Sequence, residues 1–78
     1  MSDYNRYQKM IINTLARKLG PAAGDFASDM ARKSGTKFTD LSPGNIENFA
    51  SNVEKNVVQF ISPAEAQFIA NTIRKLKA

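Results

Sequence analysis

The stretch from Asn45 to Leu76, NIENFASNVEKNVVQFISPAEAQFIANTIRKL, constrains the fold more than any other part of the chain. It carries two apolar stripes at helical spacing. Ile46, Phe49, Val53, Val57, Phe60 and Ile61 form the first. Ala66, Ile69, Ile73 and Leu76 form the second, with Phe68 beside them. Between the stripes, Ser62-Pro63-Ala64-Glu65 reads as a helix start. The Ser62 hydroxyl can accept from the backbone, and Pro63 fits the first position, where a missing N–H costs nothing. Glu65, three residues after Ser62, completes a capping box. A helix with one apolar face must bury it, so this hairpin needs the first half of the chain as its cover.

The first half supplies two more helical patterns. Tyr4, Tyr7, Ile11, Leu15 and Leu19 share one stripe, flanked by Met10, Ile12 and Ala16. Ser2 is placed to cap this helix, and Asp3 suits its positive end. Gly20 reads as its stop, and Pro21 as the start of the next helix. That second helix buries a small face, Ala22, Ala23, Ala27 and Ala31 with Phe26 and Met30, which lets helix axes approach closely. Gly35 ends it. Phe38 and Leu41, in the irregular stretch that follows, are placed to fold back as plugs on the core. Ser42-Pro43 is expected to open the third helix, with Asp40 as a competing cap. Val53, Val57 and Val58 are mediocre helix formers, so tertiary contacts must hold that helix's second half.

The expected architecture is all-α: a compact four-helix domain over residues 1–78, with helices over about 3–19, 21–34, 43–60 and 63–75. Short connections favour antiparallel neighbours. A chain of 78 residues buries roughly 60% of its unfolded surface, so stability should be modest.

Composition excludes several function classes. The chain has no cysteine and no histidine. Disulfides, thiolate–metal sites and thiol catalysis are thereby removed, as are the commonest general base and nitrogen ligand. No base-plus-nucleophile constellation is visible, the glycines match no phosphate-loop signature, and Asp25 and Asp29 lack companion ligands. The reading is therefore non-enzymatic, with no cofactor, no metal and no small-molecule substrate. No apolar run approaches the ~20 residues of a membrane span, and the start lacks a signal-peptide core, so a cytoplasmic location without membrane attachment is expected.

The net charge of +4 comes from eleven basic and seven acidic residues. Arg17-Lys18, Arg32-Lys33 and Arg74-Lys75 each fall in the last turn of an expected helix, where cations complement the macrodipole. If the helices alternate up and down, Arg32, Lys33 and Lys37 approach Arg74, Lys75 and Lys77 at one basic end. Ala31 and Gly35 have helix-turn-helix spacing, but Pro43 and Gly44 fall where a recognition helix needs unbroken backbone, which excludes that motif. Nonspecific phosphate contact by the basic end survives. Tyr4, Tyr7, Phe38, Val58 and Phe68 exceed what a small core obviously needs; two readings stand side by side, an exposed patch formed by some of them for a protein partner or a second copy, and plugs for the ends of the bundle.

Leu15 to Leu19, Gly20-Pro21-Ala22-Ala23, Met30-Ala31 and the closing hairpin together resemble a known family. It is the small helical domain of unassigned function at the C-termini of some bacterial serine/threonine kinases and signalling proteins. There an L-x-x-x-x-G-P-x-A segment precedes a small-residue helix and a final helix pair. The similarity spans residues 11–76 and departs at Ser62-Pro63, where this chain's last helix begins. The resemblance implies a regulatory or docking module and carries over no catalytic residue. The leading expectation is thus a protein-interaction or regulatory module of a signalling type, with a protein partner or self-association. Candidate contacts are Arg32, Lys33, Lys37, Arg74, Lys75, Lys77, Phe38 and Phe68. The alternative is a small basic nucleic-acid-binding protein using the same six cations.

Overall fold

In the computed structural model, which describes residues 4–77, helical residues form three uninterrupted runs, 6–33, 46–57 and 63–75, plus a single 3₁₀ turn at Phe38–Asp40. The first run bends through a second 3₁₀ turn, Gly20–Ala22, into two arms: α1 (Arg6–Leu19) and α2 (Ala23–Lys33). α3 (Ile46–Val57) and α4 (Pro63–Lys75) follow. There is no strand among the described residues. The all-α reading stands, but four separate helices do not. Hydrogen bonding carries across the expected break, because the Gly20 N–H donates to the Ala16 carbonyl and the Ala23 N–H to that of Gly20. Pro21 lacks a donor where none is required. Gly20 makes the bend at φ 58°, a conformation open to glycine.

Helix boundaries follow local chemistry. α1 begins at Arg6 rather than near residue 3. Asn5 caps it: its Oδ1 accepts the Gln8 N–H at 2.9 Å, and its own N–H donates to Gln8 Oε1 at 3.0 Å. Ser2 and Asp3, expected at this end, lie outside the described residues. The buried Gln8 side chain also donates to the Thr39 carbonyl at 2.8 Å, which ties the 3₁₀ turn to α1. α2 ends in a Schellman arrangement, with Thr36 N–H bonded to Ala31 and Gly35 N–H to Arg32, and Gly35 at φ 81°.

Neither Ser42 nor Asp40 caps α3. Pro43 and Gly44 form a β-turn closed by the Asn45 N–H on the Ser42 carbonyl, at 3.0 Å. The Asn45 side chain then accepts from the Ser42 N–H and donates to the Asp40 carbonyl, at 2.8 and 3.0 Å. Three residues are used up by this turn, so α3 starts at Ile46 rather than 43. It also stops early, at Val57. Pro63 holds Ser62 extended (φ −68°, ψ 157°), so the chain must leave the helix before it. Phe60 therefore does not continue the buried stripe. α4 spans Pro63–Lys75 with the capping box as read: the Glu65 N–H donates to Ser62 Oγ, and the Ser62 N–H to Glu65 Oε1, both at 3.2 Å.

The arms close a ring in which α1 touches α2 and α4, while α3 touches α2 and, most extensively, α4. Phe49, Val53, Ile69 and Ile73 are all buried at the α3–α4 hairpin. Tyr7, Ile11 and Leu15 from α1 and the alanines of α2 cover it. Leu41 is buried, and Phe38, at 5% exposure, is a core plug rather than a surface contact; its ring meets Tyr4 at 4.9 Å and Phe49 at 6.2 Å. The radius of gyration of 11.1 Å is close to the ~11.5 Å expected for one packed body of this length.

Candidate interaction surface

The expected apolar excess divides in two. Tyr7 and Phe38 are buried, and Tyr4 is half-buried against Phe38. Val58, Phe60 and Phe68 are exposed, at 42%, 63% and 69%. Phe60 is partly provided for. Its ring stands edge-on to Phe26 at 6.2 Å, beside a hollow of about 370 Å³ rimmed by Lys18, Asp25 and Asp29. Phe68 has no such neighbour, since no ring contact among the described residues involves it. The sequence pattern already placed Phe68 beside the α4 stripe; the exposure of Phe60 was hidden by the assumption that α3 continues to residue 60.

Phe68 shares the stripe of α4 that carries Glu65 and Thr72, the residues by which α4 faces α1 across the seam between them. These helices run antiparallel, because Lys18 Nζ bridges Glu65 Oε2 at 2.7 Å at one end while Met10 and Leu76 line a common hollow at the other. That hollow, about 290 Å³, is completed by Asn13, Thr14, Arg17 and Thr72. Thr72 lies one helical turn beyond Phe68 and donates its hydroxyl to the Phe68 carbonyl at 2.8 Å. The Glu65 carboxyl at the edge of the seam is held below its ordinary range, first by the Lys18 hydrogen bond and then by the Ser62 N–H.

Two of the six cations of the expected basic end are engaged by carboxylates. Arg74 is bound into the α3–α4 interface. Its Nε donates to Glu47 Oε2 at 2.9 Å, Nη1 to Asn71 Oδ1 at 2.9 Å and Nη2 to Ser51 Oγ at 3.3 Å, with Glu54 at 3.5 Å. Arg32 pairs with Asp29 on its own helix. The α2 terminus is tied to α3 through Asn52 Nδ2 on Ser34 Oγ at 2.9 Å, and α3 touches both α2 and α4. Lys33, Lys37, Lys75 and Lys77 make no ion pair among the described residues. The reason was not visible in the chain order: Glu47 and Glu54 sit a full helix away from Arg74 and meet it only after the hairpin closes.

Among the described residues no group of acidic side chains could hold a metal ion, and no helix is long and apolar enough to cross a membrane. Comparisons with family models, with characterised proteins and with solved structures find no match to this chain.

Proposed function

We propose that this chain is a non-enzymatic, cytoplasmic protein-interaction module of a regulatory type, and that its contact surface centres on Phe68. The observation that carries the reading is the 69% exposure of that side chain on α4. Leaving a phenylalanine in water forgoes about 1.5–3 kcal/mol of burial, and folding alone gives no return for it. The reading treats the two arms of the first run as separate helices of a four-helix docking domain. That is the kind of domain implied by the resemblance to the helical domains of bacterial kinases and signalling proteins.

The test is site-specific photo-crosslinking in the cells that naturally make the protein. A benzophenone amino acid replaces Phe68 in one strain and Lys33 in another. Discrete protein adducts at position 68, unaffected by nuclease and absent at position 33, are the expected result. No protein adduct at position 68 refutes the reading. Nuclease-sensitive adducts at position 33 would favour the alternative, a nucleic-acid-binding protein. That alternative rests on the unpaired Lys33, Lys37, Lys75 and Lys77 and is weakened by the engagement of Arg32 and Arg74 with carboxylates.

A further inference from the structure

The charges are divided unequally between the two faces of the fold. α1, RYQKMIINTLARKL, contains four basic residues, Arg6, Lys9, Arg17 and Lys18, and no acidic one. The only acid on α4 is Glu65, which is already engaged by Lys18. The other described acids, Asp25, Asp29, Asp40, Glu47 and Glu54, belong to α2, the Phe38–Asp40 turn and α3. No ion pair among the described residues satisfies Arg6, Lys9, Arg17 or Lys75. All four are exposed.

Helical spacing puts these cations around the α1–α4 seam. Lys9, Asn13 and Arg17 recur every four residues, so they share one edge of α1. Asn13 and Arg17 line the hollow, and Lys9 continues that edge by one turn. Phe68, Thr72 and Lys75 share the facing stripe of α4, with Thr72 in the hollow. The result is an apolar floor from Met10 and Leu76, an exposed aromatic ring on the adjoining turn of α4, and cations on both banks with no acid among the described residues paired to them.

We propose that the α1–α4 seam docks an acidic amphipathic helix of a partner protein. The proposal rests on the protein-interaction reading and names the partner's chemistry. One apolar side chain of that helix enters the hollow between Met10 and Leu76 and packs against Phe68. Carboxylates flanking it meet Arg17 and Lys9 on one side and Lys75 on the other. Apolar anchors at helical spacing supply the affinity of such a groove, and charge complementarity sets orientation and on-rate. A duplex phosphate backbone would use the cations and leave the floor and Phe68 unused. A second copy of this chain would bring cations against cations at the same seam.

The experiment is backbone-amide NMR titration of the full chain with four probes. They are a designed helix with leucines at i, i+3, i+4 and i+7 and glutamates alongside, its lysine counterpart, a polyglutamate of equal length, and a 20-base-pair DNA duplex. The glutamate helix should bind saturably, shift residues 9–17 and 68–76, and weaken with added salt. Phe68→Ser and Arg17→Glu should each weaken it by more than about tenfold, the effect of losing a central anchor, with unchanged melting of the free protein. Equal binding of polyglutamate, or preference for the lysine helix, overturns the proposal. So does tighter binding of the duplex at the same residues, or a concentration-dependent dimer that competes with the peptide. Protein adducts at position 68 together with no binding of the glutamate helix would leave the interaction module standing and discard the acidic partner.

Discussion

Phe49 and Phe68 are the same side chain in opposite surroundings, and replacing each with alanine separates the part of this molecule that holds it together from the part that does not. Phe49 is fully buried at the centre of the α3–α4 hairpin, with the Phe38 ring at 6.2 Å. An aromatic side chain buries about 150–250 Å². At about 25 cal/mol per Å² that is about 4–6 kcal/mol, an upper bound because the unfolded chain already hides some of this surface. Buried Phe→Ala changes run ~3–5 kcal/mol once the cavity is included. A chain of 78 residues has about 4–12 kcal/mol in total at the usual stability per residue. Phe49→Ala should therefore remove between a quarter and all of it, and lower the melting temperature by about 12–40 °C. Phe68→Ala should stay within about 0.5 kcal/mol of the parent. Thermal melts followed by circular dichroism, with urea titrations for the free energies, measure both. A loss below about 1 kcal/mol at Phe49, or an equal loss at Phe68, would refute the core assignment and with it the argument that Phe68 is free for a partner.

Two further outcomes follow from the hydrogen bonds. Ser62→Ala should cost about 0.5–2 kcal/mol, and its effect should not add to that of Glu65→Ala in a double-mutant cycle, because the two side chains satisfy one box. Glu65 has its carboxyl held below the usual range by Lys18 and then Ser62, so its stabilisation is present above the unfolded-state value and is lost as pH falls through the folded-state value. The stability gap between parent and Glu65→Gln, read by urea titration, should be open at pH 7 and close as pH falls below the ordinary glutamate range; a gap independent of pH counts against the ion pair. Tyr7 is buried with its hydroxyl unpartnered among the described residues, and burial raises its pKa above the ordinary tyrosine value. Tyr7→Phe should accordingly be neutral or stabilising by about 1 kcal/mol, since it removes a polar group that gains nothing in the fold; a clear loss in a urea titration would mean the hydroxyl has a partner.

The separation of local from non-local information is visible in single residues. Asn45–Leu76 determined its own hairpin, because helical periodicity and the Ser62–Glu65 box are both written within a few residues of where they act. The all-α class and the burial of Phe49, Val53, Ile69 and Ile73 follow from that periodicity. The Asn5–Gln8 box was equally local and legible, an Asn followed three residues later by a Gln, but Ser2 and Asp3 offered a competing start. The β-turn that delays α3 depends on Asn45 turning its side chain back to Ser42 and Asp40, a choice among several available local bonds. The surface was decided only by the tertiary structure. Arg74 has no acid within one turn of its own helix, and its partners Glu47 and Glu54 reach it from α3. Lys18 of α1 meets Glu65 of α4 for the same reason. Which cations remain unpaired, and that they border the α1–α4 seam, depends on which helix faces are brought together. Side-chain periodicity specifies a buried face; it does not specify the neighbour that buries it, and surface electrostatics is a property of neighbours.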